Sequence, residues 1–339
     1  MKNTKLCIKN YMDDGHLCNI ALRIGKGNLV LADIFESTTK KPSSTTLFDM
    51  ASVTKIMATS LICLIAIDTK KIVLDNSVGN YFNVSEEKKQ ITIKDLLVHT
   101  MGIGYKLLLL EGCNYDNVQD FILNIPSDIQ VGSDTLYSCP GYILLGKILE
   151  KIYGKRLDEL FVELIAKPLN MHRSCFCPDK NNEFVNSNLS EDEIGIVNDY
   201  NCKFLGGVSG NAGLFSCVED VNKYVDMLLN FGYPLIKRET FEMATKNYTE
   251  PLSESRALGF LYVDEKYTQT GNLFVKGSIG HCGHTGQSVF VDTQSGLYVI
   301  ILSDATVSVA KKYGAVKYDI VMKMRKDIHN AIKKDLEQM

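Results

Sequence analysis

Apolar and polar positions alternate in "LCNIALRI" and again in "LVLADIFE", with the turn-forming "GKGN" between them. This predicts a β-hairpin over residues 17–35. From about residue 50 to 68 the alternation stops, and Ile56, Met57, Ala58, Leu61, Ile62, Cys63, Leu64, Ile65 and Ile67 make a run that is apolar on every face. A run of that kind predicts a buried helix. Residues 70–200 read mainly as helix. In "TIKDLLVHTMG", Thr92 with Asp95 three residues on predicts a capped start, and "YILLGKILEKIYG" keeps helical spacing up to a stop at Gly154. Residues 178–200 are polar and irregular, a surface loop. From residue 257 the texture is β again: "ALGFLYVD", "SVFVD", a turn at "TQSG", and "LYVIILSD". The chain closes on an amphipathic pattern, with Val316, Ile320, Met324, Ile328, Ile332 and Leu336 at four-residue steps. Strands at both ends with helices between predict one α/β sheet region built from both termini, residues 1–75 plus 205–339. A mainly helical subdomain, 76–204, is inserted in it.

Composition narrows the function classes. The 339 residues are 45% hydrophobic and 23% charged, with a net charge of −3. No basic excess points to nucleic acid. The apolar run Ile56–Ile67 is broken by Thr59 and Ser60 and is short for a bilayer, so no membrane partner is expected. "MKNTKLCIKNYMDDGH" has no apolar leader core, which gives a cytoplasmic expectation and, with it, reduced thiols for the ten cysteines. Cys175 and Cys177 in "SCFCP" have no second pair at a metal-ligand spacing, so no metal and no cofactor are expected.

The stretch "FDMASVTKIMATS" sets the chemistry. A serine ahead of an apolar run is ordinarily a helix N-cap, and Ser52 fits that reading. Lys55, however, stands where a capping box would carry Glu or Gln. A cation in the first turn opposes the helix macrodipole at a cost of about 0.3–1 kcal/mol, and apolar neighbours add to it. Both effects depress the amine's pKa, as a catalytic amine requires. Three residues of helix put Ser52 and Lys55 on one face, where a neutral amine can take the hydroxyl proton. Backbone N–H groups at a helix start are available to an oxyanion.

Two further stretches complete a pattern. "LYSCPGYILLG" carries Tyr137, which alone reads as a core aromatic, and Cys139. "SIGHCGHTGQSVFVD" carries His281, Gly283 and His284 on a strand whose glycines let a substrate lie along the backbone. In this order the motifs resemble the serine β-lactamase and penicillin-binding-protein superfamily, nearest its class C β-lactamase and esterase branch. The resemblance covers residues 20–335. It implies an α+β fold of the β-lactamase/transpeptidase type, an antiparallel sheet flanked by helices with a helical subdomain. It also implies Ser52 as nucleophile, Lys55 as its base and Tyr137 as proton shuttle. His281-Cys282-Gly283 would be the strand motif, and the N–H groups of Ser52 and His284 the oxyanion hole. "ITIKDLLVHTMGI" and "FLGGVSGNAGLF" look like structural signatures of that branch; the second also reads as a tight turn.

The chain departs from the pattern at Cys139, where Asn or Asp is usual and contacts both lysine and substrate amide. It departs again at His281 and Cys282, where lysine and threonine are usual in β-lactamases. The resemblance therefore implies a serine hydrolase acting through an acyl-enzyme on a small ester or amide, with β-lactams disfavoured. The competing readings are a non-catalytic or acylation-only penicillin-recognising sensor, and a D-amino-acid peptidase.

Overall fold

The structure is a computed structural model and describes residues 1–267 and 269–339. Its main sheet has six strands in the order β2-β1-β9-β8-β7-β6, every neighbouring pair antiparallel. β1 (Asn19–Lys26) and β2 (Leu29–Ser37) are the expected hairpin. β6 (Leu261–Tyr262), β7 (Ile279–Cys282), β8 (Ser288–Val291) and β9 (Leu297–Ser303) come from the C-terminal third. β1 pairs with β9 along its whole length, from Ile20 opposite Ser303 to Lys26 opposite Leu297. The sheet is thus built from both ends of the chain. A second sheet of three short strands joins β3 (Phe48–Asp49), β5 (Leu214–Ser216) and β4 (Cys175–Phe176).

Side chains alternate across a strand, and here both faces are covered. Ile20, Leu22 and Ile24 pack with Phe290, Val299 and Ile301 against the N-terminal helix Lys2–Asp13 and the C-terminal helix Tyr318–Leu336. Ala21, Val289, Ile300 and Leu302 face the larger core, which holds the apolar run from Ile56 to Ala66. That run lies within the central helical stretch Ala51–Asp68, which is long and apolar enough to cross a bilayer by length and composition but is mostly buried inside the protein. Truncating Leu61 or Ile62 to alanine there costs about 2–5 kcal/mol. Tyr298 lies so close over β1 that a Cβ on Gly25 would stand 2.2 Å from its ring, which fixes a glycine there.

Two expectations are adjusted by the structure, and one element is additional to them. The C-terminal amphipathic helix is Tyr318–Leu336 and carries the expected pattern from Ile320 to Leu336; a separate helix, Ala305–Tyr313, precedes it and ends where Gly314 adopts φ +70°. Val316 lies between them and is exposed. The N-terminal helix gives little apolar signal, burying only Thr4 and Ile8. It is tethered by Asp335, whose carboxylate accepts from the backbone and side chains of Asn3 and Thr4 at 2.7–2.9 Å. Finally, the middle of the chain is less helical than its pattern. Helices at Ile93–Leu97, Val118–Asn124, Cys139–Tyr153 and Leu157–Phe161 are separated by irregular stretches.

The capping box of Thr92 and Asp95 and the left-handed stop at Gly154 are both present. The Cys175 and Cys177 thiols contact the carbonyls of Arg173 and Gly206. Among the described residues no three His, Cys, Asp or Glu side chains are grouped to hold a metal ion.

Candidate active site

Ser52 sits on a turn that is unlike the plain helix start its sequence suggests. Ala51 before it has φ +46°, a left-handed conformation uncommon for a residue with a Cβ. Asp49 holds the turn: Oδ1 accepts the Ala51 N–H at 2.8 Å and Oδ2 accepts the Asn198 N–H at 2.7 Å. Burial raises the Asp49 pKa to about 6, with those two N–H groups pulling the other way. Ser52 then lies in a single 3₁₀ turn, Ala51–Val53, followed by a π-helical turn, Lys55–Thr59, before the α-helix Ser60–Asp68. Its hydroxyl caps no helix. π-turns inside helices recur at functional sites, and this one is pinned where Thr59 Oγ1 donates to the Gly210 carbonyl at 2.7 Å.

Lys55 is fully buried, and its Nζ is 3.0 Å from Ser52 Oγ. The phenol of Tyr137 donates to the same Oγ at 2.7 Å. Nζ also donates to the Asn211 carbonyl at 2.9 Å and lies 3.7 Å from Cys139 Sγ. The lysine is therefore not short of a partner at Cys139, contrary to the sequence expectation. The glycine-rich segment supplies one through its backbone. Gly210 must be glycine, since a Cβ would stand 2.0 Å from the Tyr142 carbonyl oxygen. Cys139 occupies the first turn of its helix, behind Ser138, whose hydroxyl accepts the Gly141 N–H at 3.0 Å.

Burial is the largest influence on Lys55 and lowers its pKa; Cys139 and Tyr137, when ionised, raise it, and with both ionised the net direction is up. Burial raises the pKa of Cys139 and of Tyr137 as well. At neutral pH both keep their protons, so their larger upward pulls are absent and only the smaller one of Asp199 remains against burial. The direction for Lys55 beside a neutral phenol and thiol is down. In that state the proton chain is consistent: Tyr137 donates to Ser52, and Ser52 donates to the lone pair of Lys55.

The β7 strand flanks this group. His281 is buried, and its ring centroid is 6.3 Å from that of Tyr137. Its Nδ1 donates to the Cys282 carbonyl at 2.7 Å, which leaves Nε2 as an unprotonated acceptor with no partner among the described residues. Burial first, then Arg256 and Lys55, push the His281 pKa well below its ordinary value, so the ring is neutral at pH 7. A Cβ on Gly283 would stand 2.8 Å from the Met50 carbonyl oxygen and 3.3 Å from Ala51 Cβ. Only glycine brings this strand so close to the backbone that carries Ser52. His284 follows it and stacks on Tyr318, centroids 5.3 Å apart.

A cavity of about 460 Å³ opens over Ser52 and Tyr137, walled by His281, Arg256, Tyr267 and Tyr318 among others. Arg256 is 3% exposed. Its Nε and Nη2 donate to Glu254 while Nη1 has no partner among the described residues, and its guanidinium lies 5.7 Å from the Tyr137 ring centre. Of the seven residues singled out in the sequence, Ser52, Tyr137, His281 and His284 line the cavity, while Lys55, Cys139 and Gly283 lie behind them. Arg256, the Asn211 carbonyl and His99 were missed. "FLGGVSGNAGLF", read as a structural signature and as a tight turn, contains the second without marking its carbonyl, and "ESRALGF" carried no signal for the first.

A family model described as beta-lactamase matches residues 5–318. The chain is similar to the "Putative D-alanyl-D-alanine carboxypeptidase" of Escherichia coli K12, 28% identical over 307 residues, covering 78% of this chain and 70% of that protein. It is similar to the N-acetylmuramyl-L-alanine amidase of Bacillus subtilis 168, 26% identical over 78% of this chain and 69% of that one. Among solved structures it resembles EstCE1, a hydrolase with promiscuous acyltransferase activity, with a TM-score of 0.77 and 17% identity over 98% of this chain and 97% of that one. It also resembles the octameric penicillin-binding protein homologue of Pyrococcus abyssi, with a TM-score of 0.73 and 20% identity over 92% and 77%.

Proposed function

Because the chain belongs to the beta-lactamase family, we propose that it is a serine hydrolase working through an acyl-enzyme on a small ester or amide, with Ser52, Lys55 and Tyr137 as its catalytic residues. The observation that carries this reading is one oxygen, Ser52 Oγ, placed 3.0 Å from a buried amine and 2.7 Å from a phenol. Ser52 gives its proton to Lys55 as Oγ bonds to the substrate carbonyl carbon. The oxyanion that forms is held by the backbone N–H groups of Ser52 and His284, a role supported by the close approach of Gly283 to Met50 and Ala51. As the carbonyl re-forms, the bond to the leaving group breaks and the proton passes from Lys55 through Tyr137 to that group. Water then repeats the sequence on the acyl-enzyme and restores Ser52. His281, neutral and with no partner at Nε2 among the described residues, lines the substrate's path.

A second reading, within the same chemistry, is a peptidase for short peptides that end in a carboxylate. Arg256 favours it, since it lines the cavity beside Tyr137 and its Nη1 has no partner among the described residues. The name of the Escherichia coli relative points the same way.

Intact-mass analysis after a fluorophosphonate probe, and separately after a penicillin, tests the proposal. One probe adduct mapped to Ser52 supports it; labelling elsewhere, or none on folded protein, overturns it. A penicillin adduct that never clears would identify an acylation-only sensor instead.

A further inference from the structure

We propose that His99 is the positioning residue for Tyr137, holding the phenol on Ser52 from the backbone on both sides and from beneath the ring. The His99 carbonyl accepts the N–H of Leu136 at 2.8 Å, and its Nδ1 accepts the N–H of Ser138 at 3.0 Å. The residues just before and just after Tyr137 are thus tied to the same histidine. The imidazole also packs against the Tyr137 ring, centroids 4.6 Å apart, and against Tyr142 at 5.0 Å. Tyr142 is itself fixed, its hydroxyl donating to the Leu97 carbonyl at 3.0 Å.

His99 is 1% exposed and has φ +62°. A left-handed backbone at a residue with a Cβ persists only where its surroundings over-determine it, and such residues cluster at functional sites. The Ser138 N–H can only donate, so Nδ1 is unprotonated and the neutral ring carries its proton on Nε2. Burial, with Arg256, Lys55 and His281 adding to it, keeps the ring in that neutral form. A reacting group misplaced by about 1 Å loses on the order of a hundredfold in rate, and the clamp prevents such a displacement of the phenol.

This inference rests on Tyr137 carrying protons at Ser52. Its test is the steady-state hydrolysis of a short-chain aryl ester by the wild type, Tyr137→Phe, His99→Asn, His99→Leu and the double variant Tyr137→Phe/His99→Asn. Asparagine tolerates the left-handed backbone and places an oxygen near the position of Nδ1, so it keeps the Ser138 bond and removes the ring. We expect His99→Asn to lower kcat about tenfold with little change in KM, and His99→Leu to lower it about a hundredfold. On the Tyr137→Phe background His99→Asn should change kcat by less than about twofold, since no hydroxyl is left to position. A merely structural histidine would cost the same factor on both backgrounds and would track the folded fraction seen by near-UV circular dichroism. Equal losses on both backgrounds, or a wild-type kcat in folded His99→Asn, overturn the inference. Should His99→Leu not fold, the asparagine comparison still decides. A wild-type rate in Tyr137→Phe removes the catalytic reading of Tyr137, and this inference with it, in a variant that leaves His99 intact.

Discussion

The phenol of Tyr137 donates a 2.7 Å hydrogen bond to Ser52 Oγ, across 85 positions of sequence. It is the contact that binds the start of the central helix to the segment capping Cys139–Tyr153. Ser52→Ala removes an acceptor from Tyr137 and a neighbour from Lys55, a loss of about 1 kcal/mol, too little to unfold a domain of this size. The variant should keep its circular dichroism spectrum and take up no fluorophosphonate. Undiminished labelling would locate the nucleophile elsewhere.

Lys55→Met removes the base and keeps the volume. The rate of ester acylation should fall by at least about a hundredfold, the lower end of what a general base contributes. In the wild type the rate should rise with pH through a midpoint below the ordinary lysine value of ~10.4, because burial lowers Lys55 while Tyr137 and Cys139 stay protonated. A midpoint above that value would mean that Lys55 is ionised against Tyr137 and is not the base.

Cys139 now bears on the substrate more than on the lysine, since Lys55 already bonds the Asn211 carbonyl. A thiol is a weak donor and acceptor. Cys139→Asn should raise acylation by anilides and penicillins about tenfold, the worth of one net hydrogen bond of about 1–1.5 kcal/mol. Aryl esters, which have no N–H to satisfy, should change by less than about threefold. A ratio of amide to ester rates that does not move would count against any contact at this position.

Arg256→Gln should separate the two readings of substrate. Charge-assisted hydrogen bonds contribute about 1.5–3 kcal/mol, or roughly tenfold to a hundredfold. With 3-acetoxybenzoate compared against its methyl ester, the wild type should favour the carboxylate in kcat/KM by such a factor and the variant should not. Equal rates in the wild type would leave the simple esterase reading standing.

Asp335 makes a stability prediction. Burial pushes its pKa up, but the Thr4 and Asn3 donors outweigh it and hold the carboxyl at about 2, from 3.8. A group lowered on folding contributes stability above the unfolded value and loses it as pH falls through the folded one. The stabilisation should thus fade between pH 4 and pH 2. Asp335→Asn should speed hydrogen exchange of the amides of residues 2–13 at neutral pH and leave the central helix unchanged. Unaltered exchange would show that the tether is idle.

The legible parts of this molecule are those in which local pattern and tertiary demand coincide. Thr92 with Asp95 caps a helix wherever it occurs, and Gly154 stops one for reasons of its own backbone. Ile20, Leu22 and Ile24 alternate because one face of the sheet must be apolar. Lys55 was conspicuous because burial and an N-terminal position both oppose a cation. What stayed hidden depends on distant partners. Ala51 takes a left-handed conformation because Asp49 and Asn198 hold it there. Asn211 contributes a carbonyl that every residue possesses, so no letter in the sequence marks it. Arg256 is distinguished only by the one nitrogen that Glu254 leaves free.

The pairing of β1 with β9 has a consequence for how the chain must acquire its fold. Ser52 and Lys55 are synthesised early, yet β1, just before them, has β2 on one edge at once and finds the partner for its other edge only when β9 has emerged, nearly the whole chain later. β7, which flanks the nucleophile, reaches β1 only through β8 and β9. Contacts of such long sequence separation are slow to form, because loop closure must be met before they can stabilise anything. At about 5–20 residues per second of synthesis, the edge of β1 and the apolar central helix stay uncovered for tens of seconds. A nascent chain arrested before residue 297 should therefore bind holdase chaperones and remain inert to the fluorophosphonate probe, whereas release of the finished chain should yield both reactivity and solubility in one step.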